Sequence, residues 1–164
     1  MRVSAQVIIA APCERVWNVV SDPTRALSFM SGVTRWEIVG EEPTGIGARY
    51  RILLRVGSAE IGGLIEVVEW VPERELAWTS VTGIDQRGRF RLRNAGDGRT
   101  RAELRLAYGV AGSGLTGWEA EHVAAPTVRG HLRRSVRQLK RLVEQEQVRQ
   151  RATRRPGLTA EPGA

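Results

Sequence analysis

Val7-Ile8-Ile9-Ala10-Ala11-Pro12-Cys13-Glu14-Arg15-Val16-Trp17-Asn18-Val19-Val20-Ser21-Asp22 joins a β-branched apolar run to an amphipathic helix through a single proline. Residues 7–9 favour a strand, and Ala10-Ala11-Pro12 ends it abruptly. Pro12 suits the first turn of the helix, where its missing N–H has no intrahelical partner and its fixed φ is already helical. Val16, Val19 and Val20 then share one face with Trp17 at its edge, whereas Glu14, Arg15 and Asn18 are polar. Asp22 stops this helix, because a residue preceding proline avoids the helical region, and it can cap the next turn. A second short helix is expected over residues 27–30.

Downstream, strand periodicity and turn punctuation alternate almost to Gly114. Residues 34–41, 48–56, 60–71, 75–82, 86–94 and 100–110 bring the predicted strands to seven. The short turns between them predict an antiparallel meander, since parallel neighbours need long crossovers. Arg101, Glu103 and Arg105 alternate with Ala102, Leu104, Leu106 and Tyr108, and Arg87, Arg89, Arg91 and Arg93 alternate with Gly88, Phe90 and Leu92. Arg49, Arg51 and Arg55 likewise oppose Tyr50, Ile52 and Leu54, so one sheet face should be charged and the other apolar. Around Leu64 to Trp70 both faces are apolar, and alternation leaves the phase open. Over residues 118–147, Val128, Leu132, Val136, Leu139 and Val143 form one helical stripe, with Arg129, Arg133, Arg137 and Arg141 forming another well round from it. The apolar stripe is expected to cover the sheet, with a kink or break near Pro126 and Gly130.

A length of 164 residues suits one domain. Residues 1–147 read as that domain, and residues 148–164 as a basic, disordered tail without periodicity. No apolar run approaches the ~20 residues that span a bilayer, and the amino terminus enters a strand without the apolar stretch of a secretory signal. One cysteine, Cys13, leaves no internal disulfide or multi-cysteine metal site and points to the cytoplasm. Residues 129–164 hold 10 Lys+Arg against 3 Asp+Glu, whereas the preceding residues hold 15 of each, so the C-terminal part carries the whole net charge of +7. A nucleic acid or anionic membrane is therefore expected to meet the protein only there. The stripe reads equally as the wet face of a long helix, and no stacking aromatics interleave with its arginines.

Two further stretches join residues 7–22 in carrying a family resemblance. One is Glu66-Val67-Val68-Glu69-Trp70-Val71-Pro72-Glu73-Arg74-Glu75-Leu76-Ala77-Trp78, a strand, a proline turn and a strand ending in an aromatic. The other is Gly88-Arg89-Phe90-Arg91-Leu92 followed by Asp97-Gly98-Arg99-Thr100-Arg101. Together they resemble the polyketide cyclase/dehydrase and lipid-transport branch of the START-like (SRPBCC, Bet v 1-like) superfamily, over residues 3–146. The resemblance implies an α+β helix-grip fold, in which a curved seven-stranded antiparallel sheet surrounds a long C-terminal helix and two short helices follow the first strand. It also implies ligand held between sheet and helix, in carriers of lipids and other apolar molecules or in cyclases and aromatases acting on polyketides. None of the three stretches is a catalytic motif, and a shared scaffold does not name one function.

The alternation makes Trp36, Tyr50, Ile52, Leu54, Trp78, Phe90, Leu92, Leu104, Leu106 and Tyr108, facing Val128 and Leu132 of the helix, the candidate ligand-binding set. Ile38 and Leu76 share the predicted inward phase. Each residue alone also reads as ordinary core, but as a set they make apolar walls, with Tyr50, Tyr108 and the indole N–H of Trp36 or Trp78 as orienting polar groups. Glu66 is the catalytic candidate. If its face, shared with Leu64, Val68 and Trp70, points inward, burial raises its pKa and suits it to act as a general base. Glu69 lies on the opposite face, so one of the two must be solvated. Cys13 has no neighbouring base and reads as inert. His122 and His131, nine residues apart, would project from opposite sides of a continuous helix, so no metal site is expected. With no P-loop, dinucleotide fingerprint or Gly-x-Ser-x-Gly elbow, no cofactor is expected either. The expected function is binding of an apolar or amphipathic small molecule such as a lipid or polyketide. The alternatives are cyclisation or aromatisation in the same cavity and an interaction module at the basic end.

Overall fold

The computed structural model describes residues 1–109 and 115–154, and for residues 115–124 the backbone only. In chain order the elements are β1 (Arg2–Ile9), α1 (Cys13–Val20), a 3-10 turn (Pro23–Arg25), α2 (Ala26–Phe29), β2 (Val33–Val39), β3 (Arg49–Val56), β4 (Ala59–Val71), β5 (Glu75–Ser80), β6 (Asp85–Gly96), β7 (Arg99–Gly109) and α3 (Leu115–Thr153). The seven strands form one antiparallel sheet in the order β1-β7-β6-β5-β4-β3-β2, with α3 packed against it, as expected of the α+β helix-grip arrangement. Only β1 leaves the meander order, because α1 and α2 separate it from β2 and it pairs with β7 instead.

β1 begins five residues earlier than its apolar run suggests. Val3 and Ile9 are buried, while Arg2, Ser4, Gln6 and Ile8 point outward, so the polar outer residues and small Ala5 hide the strand's start from a reading by composition. Pro12 is the N-cap of α1 and not a residue of its first turn: its ψ of 159° is extended, and its carbonyl accepts from Arg15 N at 3.0 Å. Val16, Trp17, Val19 and Val20 are the buried residues of α1. Asp22 caps the following turn, its carboxylate accepting from Thr24 N at 2.9 Å.

α3 contains Pro126 without a break, so the expected interruption near Pro126 and Gly130 does not occur; tertiary packing outweighs the lost hydrogen bond. Val128, Leu132, Val136, Leu139 and Val143 are all buried, and Arg129, Arg133, Arg137 and Arg141 are exposed. The helix also outlasts its packing. It continues to Thr153 through exposed Val148, which corrects the tail boundary at residue 147, because Gln, Arg and Ala are good helix formers on their own. Residues 155–164 of the expected tail lie outside the described residues.

A bulge settles the phase that alternation leaves open in β4. Ile65 and Val67 are buried, and the register with β5 shifts between Val67 and Glu69, leaving Val68 as the extra residue. Trp70 therefore turns inward onto Trp17, with ring centroids 5.2 Å apart and planes at 77°. Glu66 and Glu69 both end on the outer face, contrary to the alternation that puts them on opposite faces.

Candidate functional site

Two voids lie on the inner face of the sheet, one of about 80 Å³ under α3 and one of about 20 Å³ under the short helices. Trp36, Ile52, Leu54, Trp78, Leu106 and Tyr108 from the sheet and Val128 and Leu132 from α3 line the larger. Tyr50 and Phe90 line the smaller, under α2. Leu92 and Leu104, also expected to touch ligand, line neither: at 3% and 1% exposure they are solid core, where α1 packs on β6 and β7. Ile38 pairs with Tyr50 but remains 42% exposed on the edge strand.

Met30, Ser31, Val33, Ile61, Gly62, Ile84, Gln86, His131 and Ser135 complete the wall of the larger void. Ile61 is legible once β3 and β4 are paired, since it sits opposite inward Leu54. The residues after α2 carry no periodicity and could not be found that way.

Met30, Trp36 and Trp78 line both voids and form the partition between them. Trp36 rests on Tyr50, with centroids 5.3 Å apart, and Trp78 on Phe90 at 6.1 Å. The Trp78 indole covers Gly88, its cross-strand neighbour, so closely that a Cβ there would come within 1.9 Å of the ring. The Nε1–H groups of Trp36 and Trp78 are buried and meet no acceptor among the described residues. Tyr50 is already committed, since its hydroxyl donates to the Pro43 carbonyl at 2.7 Å. Burial, with the Asp22 charge adding to it, pushes its pKa up to about 12.

Glu66 cannot serve as the base. It projects from the outer face, out of phase with buried Ile65 and Val67, and accepts from Arg49 Nε at 2.6 Å, while the bulge after it turns Trp70 inward. No carboxylate lines the larger void among the described residues. Cys13 receives a long contact from the Thr100 hydroxyl at 3.5 Å. The side chain of His122 lies outside the described residues, among which no cluster of three metal-ligating side chains occurs.

A polar network closes the rim where α3 meets the α2–β2 connection. His131 Nε2 lies 2.9 Å from the Arg55 carbonyl, which can only accept, so this nitrogen carries the proton and Nδ1 is the acceptor. Nδ1 then receives Arg134 Nη2 at 2.9 Å and the Ser31 hydroxyl at 3.2 Å, while Ser31 N donates to Ser135 Oγ at 2.8 Å. Burial, followed by the Arg134 charge, holds the imidazole below its ordinary pKa against the opposing hydrogen bond to Arg55. The unfolded chain thus binds a proton that the folded chain resists, so this contribution to stability is lost as pH falls below the unfolded value of about 6.5. Thermal unfolding from pH 7.5 to 5.5 should show a smaller drop in His131→Asn than in the parent; parallel curves would remove His131 as the cause.

A wider concavity lies elsewhere. About 860 Å³ of open groove runs over the outer sheet face between Arg2, Arg87, Arg89, Arg91 and Arg105. Glu69 and Glu75 pair with Arg89, Glu75 also with Arg91, and Glu103 with Arg105, so much of its charge is neutralised in place. No described helix is long and apolar enough to cross a membrane.

Residues 1–144 match the family model described as polyketide cyclase / dehydrase and lipid transport. No curated protein matches the chain. Among solved structures, TTHA0849 from Thermus thermophilus is similar at 22% identity and a TM-score of 0.76, covering 89% of this chain and 99% of its own. The Zhui aromatase/cyclase from Streptomyces sp. R1128 is similar at 19% identity and a TM-score of 0.75, covering 89% and 94%. A START superfamily protein from Mycobacterium smegmatis matches at 19% identity and a TM-score of 0.67, covering 88% and 98%. These likenesses bear on the fold.

Proposed function

Because the chain belongs to the polyketide cyclase/dehydrase and lipid-transport family, we propose that it binds an apolar or amphipathic small molecule, such as a lipid or polyketide, between the sheet and α3. The observation that carries this reading is the apolar-walled, partly open void of about 80 Å³. Close-packed interiors hold few spaces larger than a water molecule, so side chains that leave one at the centre of a scaffold favour an occupant. Ligands of drug size need about 300 Å³ or more. Binding therefore displaces the Met30, Trp36 and Trp78 partition and joins the two voids. Aromatic and aliphatic walls supply the affinity, at roughly 25 cal/mol per Å² of apolar surface removed from water. The outward Glu66 favours binding over acid–base chemistry, since cyclisation needs a proton-transferring group aimed at the ligand. The single cysteine suits a carrier working in the cytoplasm.

Native mass spectrometry of the purified protein, with a co-purified or added apolar ligand, tests the reading. Leu106→Trp fills the larger void and should weaken that binding at least tenfold while circular dichroism stays unchanged. Binding unaffected by the added ring would put the ligand outside the cavity.

A further inference from the structure

We infer that the free edge of β2 takes a second copy of this chain, paired antiparallel about a two-fold axis at Trp36, so that the two sheets run on into one.

β2 ends the strand order, with β3 on one side and no strand on the other among the described residues. Its hydrogen-bonding direction follows from its neighbours. Arg55 N donates to the Gly32 carbonyl at 2.8 Å, on the β2 side, whereas the Ala48 carbonyl accepts from Val67 N at 2.8 Å, on the β4 side. Backbone groups of successive strand residues point to opposite sides, so Leu53, Arg51 and Arg49 turn to β2. Their partners Arg35, Glu37 and Val39 turn back to β3, which leaves the N–H and C=O of Trp36 and Ile38 directed at the open edge. Such groups are a template for a further strand, and edges are commonly blunted by proline, lysine or inward-pointing charge. β2 carries none of these. Its irregularity falls earlier, between Val33 and Arg35, and Ile38 is 42% exposed.

The charges of the strand select both partner and register. Set about Trp36, the two-fold pair puts Arg35 opposite Glu37 of the second copy, twice over, at non-hydrogen-bonded positions where side chains approach most closely. Set one residue either way, it would oppose Arg35 to Arg35 or Glu37 to Glu37, and like charges directly opposite destabilise a pair. Within one copy these groups are loosely held: Glu37 lies 3.6 Å from Arg35 and 3.7 Å from Arg51, and all three are about half exposed. Carried past the strand, the same register brings the Glu41 end of the second copy towards Ser31. The Ser31 hydroxyl accepts from Arg134 Nε at 3.0 Å, and neither Arg134 nor Glu41 has an ion-pair partner among the described residues. A further pair of opposite charges therefore falls along the same contact.

Sedimentation of the full chain from micromolar to submillimolar concentration tests the inference. The mass should double as concentration rises. Arg35→Glu and Glu37→Arg should each weaken the dimer about tenfold, because the two-fold repeats every like-charge contact. Combining them restores opposite charges and should bring the dissociation constant back to within about threefold of the parent's. Ile38→Pro removes an N–H that β3 does not use, so circular dichroism should be kept while the dimer is lost. A parent that stays monomeric throughout, or a dimer that the single reversals do not weaken, overturns the inference. So does a folded Ile38→Pro chain that still dimerises. The charge series decides the matter even where the proline variant fails to fold.

Discussion

Replacing Leu139 by alanine should lower the free energy of unfolding by about 2–5 kcal/mol, the cost of truncating a buried leucine in a site that closes only partly around the gap. Leu139 is 0% exposed and sits between Val136 and Val143 on the stripe by which α3 packs on the sheet. For a chain of this length each kcal/mol corresponds to about 2–4 °C in Tm. Arg137→Ala, on the exposed side of the same helix, is the control and should stay within about 0.5 kcal/mol. A loss below about 1 kcal/mol for Leu139→Ala would mean that α3 is not docked as described. Ligand binding should weaken as well, because the same helix supplies Val128 and Leu132 to the cavity wall.

Gly88→Ala should be destabilising by about 1–3 kcal/mol, although the position is a strand interior, where alanine ordinarily gains about 0.5–1 kcal/mol over glycine. The added Cβ would lie 1.9 Å and 2.0 Å from two carbons of the Trp78 ring, which is itself buried. The ring must shift into the void, and ligand affinity should fall with it. Trp78→Ala alone should cost about 3–5 kcal/mol by opening a cavity that joins the two voids. In that background Gly88→Ala should become neutral or stabilising, since the ring it strikes is gone. A double-mutant cycle by denaturant unfolding measures this coupling; additive effects would show that the ring and the glycine do not meet.

The legibility of the site in the sequence varies residue by residue. Ile52, Leu54, Trp78, Leu106 and Tyr108 could be placed on the cavity wall because regular alternation in β3, β5 and β7 carries one phase through each strand, and Trp36 could because it lies beyond the irregularity between Val33 and Arg35 of β2. Glu66 could not be placed, because the extra residue Val68 reverses the phase of β4 midway and alternation assumes that no such residue exists. Leu92 and Leu104 have the correct inward phase and still miss the cavity, because facing inward does not say whether α1 or a void lies opposite. His131 and Ser31 meet across 100 residues, a proximity that no local pattern encodes.

From the sequence alone followed the seven strands, the antiparallel meander of all but β1, the charged and apolar faces and the stripe of α3. These depend on periodicities of two and 3.6 residues and on turn residues, which act locally and survive in any one sequence. Tertiary structure alone decided where the space lies, which aromatic rings divide it, that two indole donors of its wall are buried without an acceptor among the described residues, and that Glu66 belongs to the outer surface. Voids and unpaired donors are residuals of packing. They depend on how distant elements fit together, and a bulge of one residue is enough to move a carboxylate from one side of the sheet to the other.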